Sequence, residues 1–117
     1  MAGGIGMKAE LQSILCLKVN VEYQRFKKEQ LKLSVEQVYG NAYRIQSYMC
    51  IYESMLEISQ NLPEDVLVSL ITFPELLAYL FERWLKVEDS SDEELNEYLQ
   101  YEISEIHKEM EIGGVAA

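Results

Sequence analysis

Apolar residues recur along most of this chain at spacings of three and four, the period of an amphipathic helix. The first stripe predicts a helix from Met7 to about Lys32. Its apolar face consists of Leu11, Leu15, Val19, Tyr23 and Phe26. The cations of this segment lie mostly off that face, and they are Lys18, Arg25, Lys27, Lys28 and Lys32. We therefore expect the first helix to bury one face and to carry the basic region of the domain.

A second helix is predicted from Ser34 to about Gln60. Ser34 and Gln37 have the spacing of a capping box, in which the hydroxyl accepts a backbone hydrogen bond and the amide reaches back. The apolar residues that follow alternate steps of four and three, as in a helix–helix seam, and are Val38, Ala42, Ile45, Met49, Tyr52 and Leu56. A second apolar edge consists of Ile51, Met55 and Ile58. We expect this helix to be central and buried on two sides.

Proline marks two further helix starts. Pro63, followed by two acidic residues, predicts a short helix that ends near Leu70. Thr72, with Glu75 three residues later, predicts the N-cap of another helix that runs to about Val87. The apolar face of that helix consists of Leu77, Leu80, Phe81, Trp84 and Leu85.

The last helix is predicted to open with Ser90 and Ser91 as caps, to run to about Glu111, and to stop at Gly113 and Gly114. Its inner face consists of Leu95, Leu99, Ile103, Ile106 and Met110. No segment alternates with period two between hairpin turns, as a strand would. The predicted fold is therefore all-α, a compact bundle of four long helices plus one short helix.

A length of 117 residues with 49% hydrophobic content suits a single domain with one core. We place this helical domain at residues 7–112. Residues 1–6 are predicted to be a flexible leader or a remnant of cloning, and residues 113–117 a disordered tail. Since no secretory signal and no long apolar run is visible, we expect a soluble, cytoplasmic protein of a bacterial host cell.

Charge changes this picture, because the net charge of −10 is unevenly distributed. Residues 1–50 carry seven lysines and arginines against four acids, whereas residues 51–117 carry three against sixteen. A strongly acidic surface repels nucleic-acid phosphates, whose binding depends on neutralisation by cations. We therefore expect no direct nucleic-acid binding and no membrane binding. Basic proteins, including those that hold nucleic acid in a cleft, are the natural partners of such a surface.

Residue types that carry chemistry are sparse. His107 is the single histidine, and with Glu111 one turn away it is predicted to be a solvated helix residue in an ordinary surface pair. Cys16 and Cys50 lack the spacing of a zinc or redox motif, so we expect them to pack as small hydrophobes. No nucleophile–base arrangement and no phosphate-binding loop is apparent. The sequence predicts no catalytic residue, no metal site and no cofactor.

The acids of the last helix and the eight tyrosines each allow two interpretations. An acidic run is often only a solvated helix face, but ten acids from Glu88 to Glu111 face a single lysine, Lys108. Tyrosine is enriched in binding patches and is also common at half-buried positions of bundles. Either feature can therefore belong to a binding surface or to the ordinary exterior of the fold.

Residues 33–45 (LSVEQVYGNAYRI) join a capped helix start to an Ala-Tyr pair. Two further segments follow later in the chain, residues 73–85 (FPELLAYLFERWL) and residues 92–103. This arrangement resembles an uncharacterised family of short helical proteins, a domain of unknown function from phages and mobile elements of Gram-positive gut bacteria. The resemblance spans about residues 11–103. Small acidic proteins of such elements are often antagonists of host defence, so the resemblance implies an anti-CRISPR protein.

We accordingly expect a phage or mobile-element inhibitor that binds a host defence nuclease, such as Cas9, and blocks DNA recognition or cleavage by mimicking nucleic acid. The expected contact residues are Glu88, Asp89, Asp92, Glu93, Glu94, Glu97, Tyr98, Tyr101, Glu102, Glu105 and Glu109. The alternative is a non-enzymatic adaptor of a mobile element that binds a helical partner or forms a homodimer. The second apolar edge of the second helix favours that alternative.

Overall fold

The computed structural model describes the backbone of residues 2–87 and 92–116, and the side chains of residues 7–87 and 94–111. Its helices are α1 (Ala2–Leu31), α2 (Val35–Gly40), α3 (Ala42–Ile58), α4 (Glu64–Thr72), α5 (Leu76–Trp84) and α6 (Asp92–Ala116). A 3-10 turn, Ser59–Asn61, separates α3 from α4. No strand occurs within these ranges, and the predicted all-α bundle is confirmed.

One core lies between α1, α3, α4, α5 and α6. α1 packs on α3, α4 and α5, and α6 packs on the same three helices from another side. The predicted inner faces of α1 and α6 are confirmed at Leu15, Val19, Leu95 and Leu99, each at most 3% exposed. The remaining core residues are Tyr48, Ile51, Met55, Ile58, Leu67, Leu70, Leu76, Leu77, Leu80, Phe81, Trp84, Ile103 and Ile106.

The predicted second helix is divided at Asn41. The capping box at its start is confirmed, since Ser34 Oγ accepts from Gln37 N at 3.2 Å and Gln37 Oε1 accepts from Ser34 N at 2.9 Å. Asn41 leaves helical geometry with φ −96° and ψ 9°, directly after Gly40, and both residue types are weak helix formers. α2 has no buried residue to hold it in line with α3.

Of the two apolar sides predicted for this helix, the second edge is fully buried and the seam is only partly buried. Val38 and Ala42 are exposed, because they lie on α2 and at the first residue of α3, away from the core. Ile51, Met55 and Ile58 are buried instead. The other seam residues are half-buried, namely Ile45, Met49, Tyr52 and Leu56.

Thr72 does not cap α5, contrary to the prediction. It ends α4, and its hydroxyl donates to the backbone oxygens of Val68 and Ser69 at 3.0 and 3.1 Å. Glu22 of α1 instead supplies the cap, because its buried carboxylate accepts from Leu77 N at 2.7 Å near the start of α5. The first turn of α5 is therefore fixed by a side chain from another helix.

The last helix is longer than predicted, and its predicted caps lie outside the described residues. α6 begins at Asp92 and continues through Gly113 and Gly114 to Ala116, beyond its predicted end. The predicted caps, Ser90 and Ser91, lie outside the described residues. Within the described part of the chain, no helix is both long enough and apolar enough to cross a bilayer.

Candidate protein-binding surface

The side of α6 that faces away from the core carries a row of acids, which we call the acidic face. It consists of Glu94, Glu97, Tyr101, Glu105 and Glu109. Steps of three and four place these residues on one side of the helix. Four of the five are exposed, and Glu105 is half-buried. The nearest cation among the described residues is Lys108, whose Nζ lies 3.6 Å from Glu105 Oε2.

Tyr101 lies in the middle of the acidic face. Its side chain is 57% exposed, and its hydroxyl donates to Glu105 Oε1 at 3.3 Å. The negative charge of Glu105 raises the pKa of the Tyr101 phenol, and the hydrogen bond adds to that effect. The acidic face thus combines carboxylates with an accessible, neutral aromatic ring.

Tyr98 and Glu102 do not belong to this exposed surface, contrary to the expectation from the sequence. Glu102 is 0% exposed, and Tyr98 is half-buried against Trp84 with ring centroids 5.4 Å apart. The Tyr98 hydroxyl donates to Glu102 Oε2 at 2.6 Å, and Arg83 Nε donates to the same oxygen at 2.8 Å. Glu102 is buried where α6 packs against α5, with Arg83 and Tyr98 as the donors to its carboxylate.

The buried Glu102 carboxylate helps to raise the pKa values of both side chains that donate to it. Burial, followed by the hydrogen bond to Glu102, raises the pKa of Tyr98 to about 12. The same carboxylate raises the pKa of Arg83 above its ordinary range through the hydrogen bond and the charge. Glu102 Oε1 is buried and has no hydrogen-bond partner among the described residues. The arrangement holds α5 against α6 and offers no carboxylate to a partner protein.

Four of the expected contact residues cannot be placed on this surface. Glu88 and Asp89 lie outside the described residues, as do the side chains of Asp92 and Glu93. Their membership of the binding surface stays a prediction.

The basic region of α1 does not neutralise the acidic face. Among the described residues, the ion pairs of α1 join Lys18 to Glu22 and Arg25 to Glu75, each at 3.0 Å. Neither pair reaches α6. The acids of the outward side of α6 therefore remain largely uncompensated by the rest of the described fold.

A second surface, which sequence reasoning missed, lies on the outer side of α1. We call it the α1 stripe, and it consists of Met7, Ile14, Leu17 and Val21. These side chains are 47–65% exposed. Steps of seven, three and four are the spacing of a coiled-coil seam, so the signal was present in the sequence. An open groove of about 460 Å³ runs beside the stripe towards Pro74.

His107 also differs from its prediction as a solvated residue. Its side chain is only 17% exposed, since it lies between α6 and α4 in contact with Asp65 and Ser69. The two cysteines are half-buried rather than fully buried, and Cys16 Sγ lies 3.6 Å from Ser59 Oγ.

Comparisons with known proteins return no relative for this chain. No protein-family model matches, and no curated protein or solved structure gives a match.

Proposed function

We propose that the protein works without catalysis, as an inhibitor that binds a basic, nucleic-acid-binding protein through the acidic face of α6. The observation that carries this proposal is the row of exposed glutamates around Tyr101, with Lys108 as the nearby cation. A surface of one sign draws a partner of the opposite sign and speeds their encounter. Tyrosine within a polar patch supplies buried contact area at low cost in conformational entropy.

The proposed target is a CRISPR–Cas effector of the Cas9 type in a bacterial host cell. Such a nuclease holds its guide duplex in a positively charged channel and reads the short motif beside the target with arginines. Glu94 and Glu97 form one pair of acids about 5–6 Å apart, and Glu105 and Glu109 form another, with Tyr101 between the two pairs. Closely spaced negative charge of this kind imitates the phosphates of a nucleic-acid strand. The resemblance of residues 33–45 and 73–85 to the phage family supports the same target.

A charge-reversed variant tests this proposal. In the test variant, four acids of the acidic face become lysine: Glu94, Glu97, Glu105 and Glu109. In the control variant, four acids elsewhere become lysine: Glu10, Glu29, Glu36 and Glu53. Both variants undergo the same change in net charge, and all eight positions except Glu105 are exposed.

Each variant is mixed with guide-loaded Cas9, and cleavage of a target duplex is followed. We expect the wild type and the control variant to inhibit cleavage and the test variant to have lost inhibition. Circular dichroism shows whether the test variant retains its helices. Equal inhibition by a folded test variant would refute the role of the acidic face, and absence of inhibition by the wild type would refute Cas9 as the target.

The α1 stripe favours a second function, that of an adaptor of a mobile element that binds a helix of another protein. The sequence placed the adaptor surface on the edge formed by Ile51, Met55 and Ile58, but those residues are in the core. Beside the α1 stripe, Lys18, Arg25 and Lys32 recur every seven residues, at the flanking positions of the seam. Lys18 and Arg25 already pair with Glu22 and Glu75, but Arg25 is 53% exposed and has further N–H donors, so the proposed occupant is a helix with acidic flanks.

Binding of a synthetic amphipathic peptide tests this second function. The peptide carries leucines at the seam positions and glutamates at the flanks, and its binding is followed by fluorescence anisotropy. We expect Leu17→Gln to weaken binding at least tenfold, while Val68→Gln, which changes another exposed apolar residue on α4, leaves it unchanged. Equal binding by both variants contradicts the assignment, as does a homodimer through α1 detected by light scattering.

A further inference from the structure

Three side chains from two helices meet beside the interface of α4 and α6. His107 Nε2 lies 3.3 Å from Asp65 Oδ2 and 3.1 Å from Glu111 Oε1. All three potential ligand atoms lie within 4.8 Å of one another. Asp65 lies in the first turn of α4, and Glu111 follows His107 by one turn of α6.

Ser69 determines how the imidazole of His107 is presented. Ser69 Oγ lies 2.8 Å from His107 Nδ1, and the same hydroxyl donates to the backbone oxygen of Asp65 at 3.2 Å. The Ser69 hydroxyl can accept a hydrogen bond from Nδ1–H while its own proton goes to the backbone oxygen of Asp65, and in either direction the contact fixes the ring. Nε2 is then the nitrogen that faces the two carboxylates. A buried partner for the second ring nitrogen is the usual support of a metal-binding histidine.

The distances around Nε2 suit a single bound metal ion, since both carboxylate oxygens lie on the same side of the ring nitrogen within 3.3 Å of it. Zinc bonds to nitrogen and oxygen are about 2.0–2.1 Å long, so adjacent ligands of a tetrahedral ion are about 3.3 Å apart. The separations of 3.1 and 3.3 Å match that spacing.

We propose that Asp65, His107 and Glu111 bind a divalent transition-metal ion of the Zn²⁺ class, with Ser69 as the positioning residue. One imidazole nitrogen and two carboxylate oxygens are ligands that suit such an ion. The carboxylate side chains are 65% and 62% exposed, which gives the ion a route from solvent and room for water as a fourth ligand. The bound ion joins α4 to α6 and stabilises the fold, independently of the acidic face.

Isothermal titration of Zn²⁺ into the full chain, after removal of metal by a chelator, tests the proposal. We expect one equivalent to bind and the melting temperature to rise with Zn²⁺. Asp65→Asn and Glu111→Gln, both at exposed positions, each weaken binding at least tenfold. The matched control Glu109→Gln, on the same helix outside the cluster, leaves the affinity unchanged. Ser69→Ala weakens binding about tenfold, the usual effect of losing the partner of a ligating histidine.

Cobalt provides a second readout that diffuse binding by surface acids does not give. Co²⁺ in this site is expected to show a visible absorption band that saturates at one equivalent and is absent in Glu111→Gln. The proposal is overturned if Zn²⁺ gives no saturable heat, since the three side chains then contact one another without binding an ion. It is equally overturned if Glu109→Gln and Glu111→Gln lose affinity to the same extent.

Discussion

Replacing Glu102 by methionine removes a carboxylate that is fully buried, whereas the side chain of its cationic partner Arg83 is nearly half exposed to water. The Glu102 side chain is 0% exposed, the Arg83 side chain is 45% exposed, and within the described part of the chain Glu102 Oε1 has no hydrogen-bond partner. Burying a charge is costly, and replacement of a buried ion pair by apolar groups is often neutral or stabilising by about 1–4 kcal/mol. Because Arg83 stays hydrated when the carboxylate is removed, we expect Glu102→Met to leave the free energy of unfolding unchanged or to raise it by about 1–2 kcal/mol.

Removing a donor to this carboxylate has the opposite effect. Tyr98→Phe deletes a 2.6 Å hydrogen bond to a buried charge, for which we expect a loss of about 1.5–3 kcal/mol. Arg83→Met also lowers stability, since it leaves the buried carboxylate with Tyr98 as its remaining donor. In the Glu102→Met background, Tyr98→Phe has no charged acceptor to lose and its effect falls below about 1 kcal/mol.

Urea unfolding followed by far-ultraviolet circular dichroism measures these differences. The set comprises the wild type, Glu102→Met, Tyr98→Phe and the double variant, so that the coupling between the two positions is obtained directly. Glu97→Met, at an exposed position of the same helix, controls for the change in helix propensity. If Glu102→Met proves less stable than Tyr98→Phe, the conclusion that burying this carboxylate is costly is refuted.

Three further predictions concern other parts of the fold. Gly40→Ala raises the free energy of unfolding, measured in urea, by about 0.5–1 kcal/mol, because a Cβ there meets no described atom within 4 Å. A lower free energy of unfolding would contradict this prediction. Folding raises the pKa of Tyr98 from 10.0 to about 12. The stabilisation of the fold by the neutral Tyr98 phenol is therefore complete below pH 10 and is lost as the pH rises through 12. Across that window, the wild type loses about 1–3 kcal/mol more than Tyr98→Phe in alkaline unfolding curves, whereas parallel curves would exclude the linkage. Glu22→Gln lowers stability by about 1–2 kcal/mol by weakening the cap on Leu77, and Glu29→Gln, an exposed control on the same helix, has no such effect.

The helical period was sufficient to predict the fold class and much of the core. Leu15, Val19, Leu95 and Leu99 were assigned correctly to inner faces, since a period of 3.6 residues is a local property that the sequence records directly. The capping box at Ser34 was equally local and was confirmed. Both apolar stripes of the second predicted helix were expected to be buried, but the period does not show how deeply each is buried, and only the edge of Ile51, Met55 and Ile58 is fully enclosed.

The remaining errors concern contacts between residues far apart in the chain. Glu22 caps a helix 55 positions later, and Ser69 fixes the ring of His107 across 38 positions. Glu102 was assigned to the surface because it is charged, and its burial depends on Arg83 from a neighbouring helix. Of the expected contact residues, Glu94, Glu97, Tyr101 and Glu109 are exposed, whereas Tyr98 and Glu102 lie against α5. That the exposed residues bind a partner stays a prediction.

The central claim is that the acidic face binds a Cas9-type nuclease. Its most direct test is the affinity of the protein for guide-loaded Cas9, measured by biolayer interferometry at low and high ionic strength. We expect the wild type and the Glu10, Glu29, Glu36 and Glu53 control variant to bind, and to bind more weakly as salt increases. The variant reversed at Glu94, Glu97, Glu105 and Glu109 is expected not to bind. Binding of that variant with wild-type affinity, or wild-type binding that is insensitive to salt, would contradict a contact made through the acidic face.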